Sequence, residues 1–232
     1  MSISDLVLIP GLLCDQQLWR HQCKNLNDIV DITIADTLRD ESIHSMAARI
    51  LEDAPDQFAL AGLSMGGYVA QEIMRQAPER VDKLALLDTS ARADSEEQVE
   101  RRKGLIRLTK MGRFKGVTPR LLPLLIHPNF LDDEDITSTI MNMAANVGQE
   151  VFVQQQTAIL NRIDSRDDLV DINVDTLIIC GRQDELTPVV LMQEMADNIR
   201  KSNFHIIENC GHLSPLEQPE IVTSLMRDWL VI

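Results

Sequence analysis

The chain has 232 residues, with 22 basic against 36 acidic side chains and a net charge of −14 with histidine neutral. That length can bury a sizeable core without disulfide or metal staples. The acidic balance excludes a protein that holds nucleic acid or an anionic membrane through its overall field, and no apolar run approaches the roughly 20 residues of a spanning helix.

In chain order, Asp5–Ile9 reads as a strand stopped by Pro10-Gly11, and residues 14–25 read as a helix. Residues 29–35 form a β-branched, strand-like run. Ser42 can cap a helix that runs to about Leu51, and residues 57–61 form the next apolar run. Residues 65–77 have helical periodicity and stop at Pro78; residues 84–88 and 176–180 read as strands. Thr187-Pro188 has the pattern of an N-cap followed by proline at the first helical position, predicting a helix to about Arg200. Residues 204–207 give a last strand and 220–230 a last helix. Continuous apolar strands separated by helices predict a doubly wound, mostly parallel α/β sheet of about six strands.

The alternation breaks between Asp88 and Asp175. Residues 89–174 contain no convincing strand, only helix-like pieces at 96–110 and 136–163 around Pro119, Pro123 and Pro128. The expected organisation is therefore a core of residues 1–88 and 175–232 with a helical lid, 89–174, over the carboxyl edge of the sheet, where ligands bind in open α/β folds. The N-terminus has no basic region and its apolar run is too short for a secretory signal, so a cytoplasmic protein is expected. Cys14, Cys23, Cys180 and Cys210 form no C-x-x-C pair and read as free thiols. No metal-ligand spacing is present, and with aromatics at 3% there is no stacking platform for bases.

The strongest signal is Gly62-Leu63-Ser64-Met65-Gly66-Gly67, which follows an apolar strand and opens a helix. That context predicts a G-x-S-x-G nucleophile elbow. A serine hydroxyl attacks a carbonyl only if it projects clear of the sheet and meets a base, and a sharp strand-to-helix turn achieves both. The Met65 N–H then lies at a helix N-terminus, where negative charge is favoured. A second oxyanion donor is expected from the turn after the first strand, at the Leu12 N–H; the bland alternative is an ordinary Pro-Gly turn.

Such a serine needs a base, and the base an orienting carboxylate. His21 and His44 precede the serine on predicted helices and read as surface residues; His127 sits beside Pro128 with no strand to fix it; His205 lies within a strand. His212 follows the last strand in Cys210-Gly-His-Leu-Ser-Pro-Leu-Glu-Gln-Pro219 and is the expected base. For the acid, Asp184 in Gly181-Arg-Gln-Asp-Glu-Leu-Thr-Pro188 leads, with Asp88 at the end of the preceding strand as rival; Glu185 and Asp175 are weaker. Cys14 and Cys210 flank the expected site either as reactive thiols or, more simply, as buried fillers.

Together these three motifs resemble the α/β-hydrolase superfamily, in its small serine esterase-like branch. The resemblance implies that Ser64, Asp184 and His212 are the catalytic triad, that Leu12 and Met65 supply the oxyanion hole, and that no organic cofactor or metal is needed. The family usually has His-Gly after its first central strand, where this chain has Pro10-Gly11, and this chain starts at what corresponds to the third strand of the family sheet. Relatives that displace at carbon carry aspartate at the elbow, so Ser64 implies acyl transfer from a small-molecule ester, thioester or lactone, or activated C–C hydrolysis.

One charge pattern stands apart. Residues 92–120 hold nine basic side chains and four acidic ones, a local charge of +5 inside an acidic chain. It reads as a solvated helix face with Glu–Arg pairs, or as a patch that attracts an acidic substrate or carrier. Three functions follow in order: a carboxylesterase on small or medium acyl groups; a thioesterase, carrier-ester hydrolase, or C–C hydrolase or lyase of an acidic metabolite; and a non-catalytic binding protein on the same fold.

Overall fold

The computed structural model describes residues 3–231. Its elements are β1 (Asp5–Ile9), α1 (Arg20–Leu26), β2 (Asp31–Ile34), α2 (Ile43–Asp53), β3 (Phe58–Leu63), α3 (Met65–Gln76), β4 (Val81–Leu87), α4 (Glu96–Lys110), α5 (Glu134–Leu160), β5 (Asp175–Gly181), α6 (Val189–Asn198), β6 (Ser202–Ile207), α7 (Ser214–Glu217) and α8 (Pro219–Val231). The strands form one six-stranded sheet in the order β2-β1-β3-β4-β5-β6, parallel throughout. Among the described residues no helix is long and apolar enough to cross a membrane.

Strand periodicity sorts the core into two layers. Leu6, Leu8, Ala59, Ala61, Leu63, Ala85, Leu87, Leu177 and Ile179 face one side, where Leu18, Trp19 and Leu26 around α1 and Val222, Met226 and Trp229 of α8 cover them. Val7, Ile9, Leu60, Leu84, Leu86, Ile178 and Cys180 face the other, under α2, α3 and α6. Burial on both faces is why these strands read as continuous apolar runs.

Residues 89–174 hold α4, α5 and short 3-10 segments. Ile136, Ile140 and Met143 of α5 join the α1/α8 layer, whereas Ala158 and Ile159 join the opposite one. Between them Ala144, Val147 and Phe152 pack on Leu13, just past β1. The helix thus passes over the turn that ends β1. It is not the continuous helix the sequence predicts: Gly148 sits at φ 80°, ψ 179° and breaks it in two. The predicted helix at 14–25 likewise opens as a 3-10 turn, Gln16–Trp19, before α1.

Candidate active site

Ser64 lies between β3 and α3 at φ 54°, ψ −115°, a conformation that side-chain-bearing residues rarely adopt. The surroundings enforce it. A β-carbon at Gly62 would sit 2.3 Å from the Gly66 carbonyl oxygen, and one at Gly66 would sit 2.2 Å from that of Ile9; only glycine lets the chain fold back so tightly. The Ser64 N–H donates to Leu87 O at 3.0 Å and the Thr89 hydroxyl donates to Ser64 O at 2.7 Å, so β4 and the residues after it hold the elbow from one side.

His212 lies in the loop after β6 and is almost fully buried. Its Nε2 is 2.9 Å from Ser64 Oγ, and its Nδ1 is 2.8 Å from Asp184 Oδ2. The loop is built around a group to which the sequence pattern assigns no role. Glu217, on α7, is buried and accepts the backbone N–H groups of His127 (2.7 Å), Gly211 (2.8 Å) and Leu213 (2.9 Å). His212 N–H donates to Leu125 O at 3.0 Å, so residues 89–174 share in fixing the imidazole.

Asp184 follows β5. Its Oδ1 accepts the N–H groups of Leu186 (2.8 Å) and Thr187 (3.0 Å), and its Oδ2 accepts the Thr187 hydroxyl at 2.6 Å. Thr187 therefore spends its hydroxyl on the carboxylate and does not cap the next helix, which starts at Val189 with Pro188 at the N-cap. Burial works to raise the Asp184 pKa, but the His212 charge and these hydrogen bonds outweigh it and hold the carboxyl below its ordinary value. For His212, burial works to lower the pKa; the charge and hydrogen bond of Asp184 lead the effects that overcome it, and the net direction is up.

The rival acid, Asp88, is also buried, at φ 44°. It makes no hydrogen bond to His212: its Oδ1 accepts the Gly181 N–H at 2.8 Å and its Oδ2 meets the Ser214 hydroxyl. Burial, and then the Asp184 charge, pushes its pKa well above the carboxylate range and favours the neutral acid. Glu185 and Asp175 are exposed. His44 pairs with Glu72, His21 with Thr223, and His127 caps a 3-10 turn, so the structure brings none of these three to Ser64; His205 lies within β6.

The turn after β1 runs against the elbow: a β-carbon at Gly11 would sit 3.5 Å from Ser64 Cβ. Cys14 N–H closes the turn on Gly11 O at 3.1 Å. The N–H groups of Leu12 and Met65 meet no protein acceptor among the described residues, an arrangement that can receive a developing oxyanion. Leu13, at φ 58°, donates its N–H to Gln155 Oε1 of α5 at 3.0 Å.

Asp88, Cys180 and Asp184 place three donor atoms within 4.8 Å of one another. Protein donors already occupy both carboxylates, so the set is a hydrogen-bonded core rather than an open coordination site. The Cys14 thiol is buried and pushed up to about 12, by burial first and the Asp15 charge second; burial also raises Cys180 and Cys210. These are the properties of fillers, not of nucleophilic thiolates.

A model of the alpha/beta hydrolase family matches residues 6–225. The pimeloyl-[acyl-carrier protein] methyl ester esterase of Vibrio parahaemolyticus is 21% identical, with 97% of this chain and 93% of that protein covered. The 2-hydroxy-6-oxononadienedioate/2-hydroxy-6-oxononatrienedioate hydrolase of Escherichia coli is 28% identical over 79% of this chain and 67% of that protein. The structure of a thermophilic esterase from Thermogutta terrifontis aligns with a TM-score of 0.87 at 28% identity, covering 99% of this chain and 90% of that one. A family model spanning nearly the whole chain, on a parallel sheet with a strained serine at the β3–α3 turn, leads to one conclusion: the chain belongs to the alpha/beta hydrolase family.

Proposed function

We propose that the protein is a serine hydrolase that cleaves carboxylic ester bonds of a small or medium acyl substrate through an acyl-enzyme. The observation that carries this reading is the unbroken line from Ser64 Oγ to His212 Nε2 (2.9 Å) and from His212 Nδ1 to Asp184 Oδ2 (2.8 Å), ending on a nucleophile held in strained backbone. The similarity to the Vibrio and Thermogutta proteins, both esterases, supports it.

Ser64 Oγ attacks the ester carbonyl carbon while His212 Nε2 takes its proton. Asp184, kept ionised by the loop that donates to it, holds the imidazole in the productive tautomer and stabilises the imidazolium. The carbonyl oxygen becomes an oxyanion facing the N–H groups of Leu12 and Met65. Collapse expels the alcohol, which takes the proton from His212. A water then gives its proton to His212 and attacks the acyl-enzyme; Ser64 recovers a proton and the carboxylic acid departs. Residues 1–88 and 175–232 carry this chemistry, and residues 89–174 act as the lid that selects the acyl group.

A second reading, a carrier-borne or otherwise anionic acyl substrate, is favoured by one surface. The helix α4 exposes Leu105 and Leu108, with Met111 exposed at its C-terminal cap, beside exposed Arg101, Arg107 and Lys110, cations that pair with no carboxylate among the described residues. The decisive experiment for the main reading is turnover of p-nitrophenyl esters of graded acyl length by wild type and Ser64→Ala, with circular dichroism on both. Triad members act as a unit, so Ser64→Ala should lose at least about a thousandfold in kcat while remaining folded. A folded variant that still turns over, or a wild type that hydrolyses none of the esters, would overturn the reading.

A further inference from the structure

We infer that Gln155, on the second half of α5, is a positioning residue for the oxyanion donor at Leu12. The inference rests on the serine-hydrolase reading above. Gln155 has no exposed surface, although an amide is costly to bury unless both of its ends find partners. Both do. Its Oε1 accepts the Leu13 N–H at 3.0 Å, and its Nε2 donates to Thr37 O, just past β2, at 3.2 Å.

The backbone of residues 10–14 explains why such a strut is needed. The turn has a left-handed residue at Leu13, φ 58°, and is closed internally by the Cys14 N–H on Gly11 O. A non-glycine residue at that φ reverts to a commoner conformation unless its surroundings hold it. A rotation at Leu13 would turn the two peptide units it joins, which carry the Leu13 and Cys14 N–H groups; the first of these is the unit Gln155 holds, and it is tied through the Cα of Leu12 to the unit that carries the Leu12 N–H. Gln155 provides a side-chain hydrogen bond to the backbone of this turn, and it reaches there from 142 residues away in sequence. The apolar packing of Leu13 on Ala144, Val147 and Phe152 adds contact but no direction. Hydrogen-bond geometry fixes orientation, and orientation is what an oxyanion donor needs. One face of the lid therefore sets the aim of a backbone N–H in the catalytic core.

The neighbouring Gln156 supplies the control. It is equally buried on the same helix, but it bonds the Arg102 guanidinium of α4 and does not touch the turn. The experiment compares wild type, Gln155→Met and Gln156→Met with p-nitrophenyl butyrate, a trifluoromethyl ketone of matched chain length and the corresponding methyl ketone. Ser64 Oγ adds to the carbonyl carbon of the fluorinated ketone while its proton passes to His212 Nε2, which leaves a hemiketal oxyanion; the methyl ketone reports ground-state binding. Gln155→Met should lower kcat by about 10- to 100-fold, less than or similar to deletion of a donor outright. KM should stay within about twofold, since the lost contact matters only in the transition state. Affinity for the fluorinated ketone should fall by the same factor as kcat/KM, with methyl ketone affinity unchanged. Gln156→Met should match wild type in all of these.

Unchanged kcat and fluorinated-ketone affinity in Gln155→Met would overturn the inference, and so would equal losses for the two ketones or equal effects in the two variants. If Gln155→Met does not fold, Gln155→Asn, which keeps an amide but withdraws it from Leu13, is judged by the same criteria. Ser64→Ala in the same assay separates this inference from the reading beneath it: retained turnover there would sink the mechanism itself, whereas a dead Ser64→Ala beside an unaffected Gln155→Met would sink only the role of Gln155.

Discussion

Two carboxylates reach the region behind His212, and hydrogen bonding divides their roles. Asp184 faces the imidazole and is surrounded by donors, whereas Asp88 ties Gly181 to Ser214 and is pushed toward its neutral form. Asp184→Asn should therefore lower kcat/KM by about a thousandfold or more, because the imidazolium loses its partner. Asp88→Asn keeps an acceptor for Gly181 N–H and a group for the Ser214 hydroxyl, so kcat/KM should stay within about threefold of wild type. The pH profiles carry the same distinction. His212 must be neutral to act as base and its pKa is raised, so kcat/KM should fall as pH drops through a value above the ordinary histidine pKa of about 6.5. That acid limb should move to lower pH most in any residual activity of Asp184→Asn, which lacks the carboxylate whose charge and hydrogen bond lead the effects raising it, and less in Asp88→Asn, since the Asp88 charge is a smaller contributor. If Asp88→Asn proved the crippled variant, the assignment of the acid would be wrong. Asp184 and His212 were legible because each follows an apolar strand in a turn-rich motif. Glu217 was not, although the one acidic residue of the quoted His212 segment was a signal: a carboxylate among Leu, Pro and Gly positions that must fold inward calls for donors, and here they are three backbone N–H groups.

At the scale of elements, α5 departs most from its sequence pattern. Helical periodicity predicts one helix over 136–163, but Gly148 turns to φ 80°, ψ 179° and the halves pack on different layers of the core. This makes the sign of one substitution informative. In an ordinary helix interior, glycine to alanine stabilises by up to about 1 kcal/mol. At Gly148 a β-carbon meets no neighbour within 4 Å, so space is not the obstacle, but the backbone conformation is one reserved almost wholly for glycine. Gly148→Ala should therefore destabilise by about 1–3 kcal/mol, and its midpoint should drop by about 2–4 °C per kcal/mol for a chain of this size. Thermal unfolding followed by circular dichroism checks it; a raised midpoint would mean that α5 runs straight in solution. Local pattern could not reveal the break, because glycine within a helical repeat is compatible with either outcome and only packing across the β1 turn selects the bent one.

Across the whole molecule, a net charge of −14 coexists with a basic surface on α4. The structure narrows that stretch: Arg92, Arg102 and Lys103 pair with Glu194, Asp94 and Glu100, which leaves Arg101, Arg107 and Lys110 of the helix, and Arg113, Lys115 and Arg120 after it, with no carboxylate partner among the described residues. If α4 receives an anionic acyl carrier, kcat/KM for an acyl-CoA thioester should fall as salt rises, while that for neutral p-nitrophenyl butyrate holds, since screening acts over about 10 Å at 0.1 M salt. Replacing Arg101, Arg107 and Lys110 by Gln should reproduce the high-salt behaviour for the charged substrate alone. An equal response of both substrates would reduce α4 to a solvated face and leave the simple esterase reading. The sequence by itself determined the parallel six-stranded sheet, because strands buried on both faces are written as unbroken apolar runs, and it determined the elbow around Ser64, because only glycine tolerates so close a fold-back. What the tertiary structure alone decided lies wherever distant segments meet: which aspartate faces His212, how Glu217 gathers the loop around it, and how Gln155 reaches the turn after β1. These depend on the direction of side chains across separate elements, and no local spacing encodes that direction.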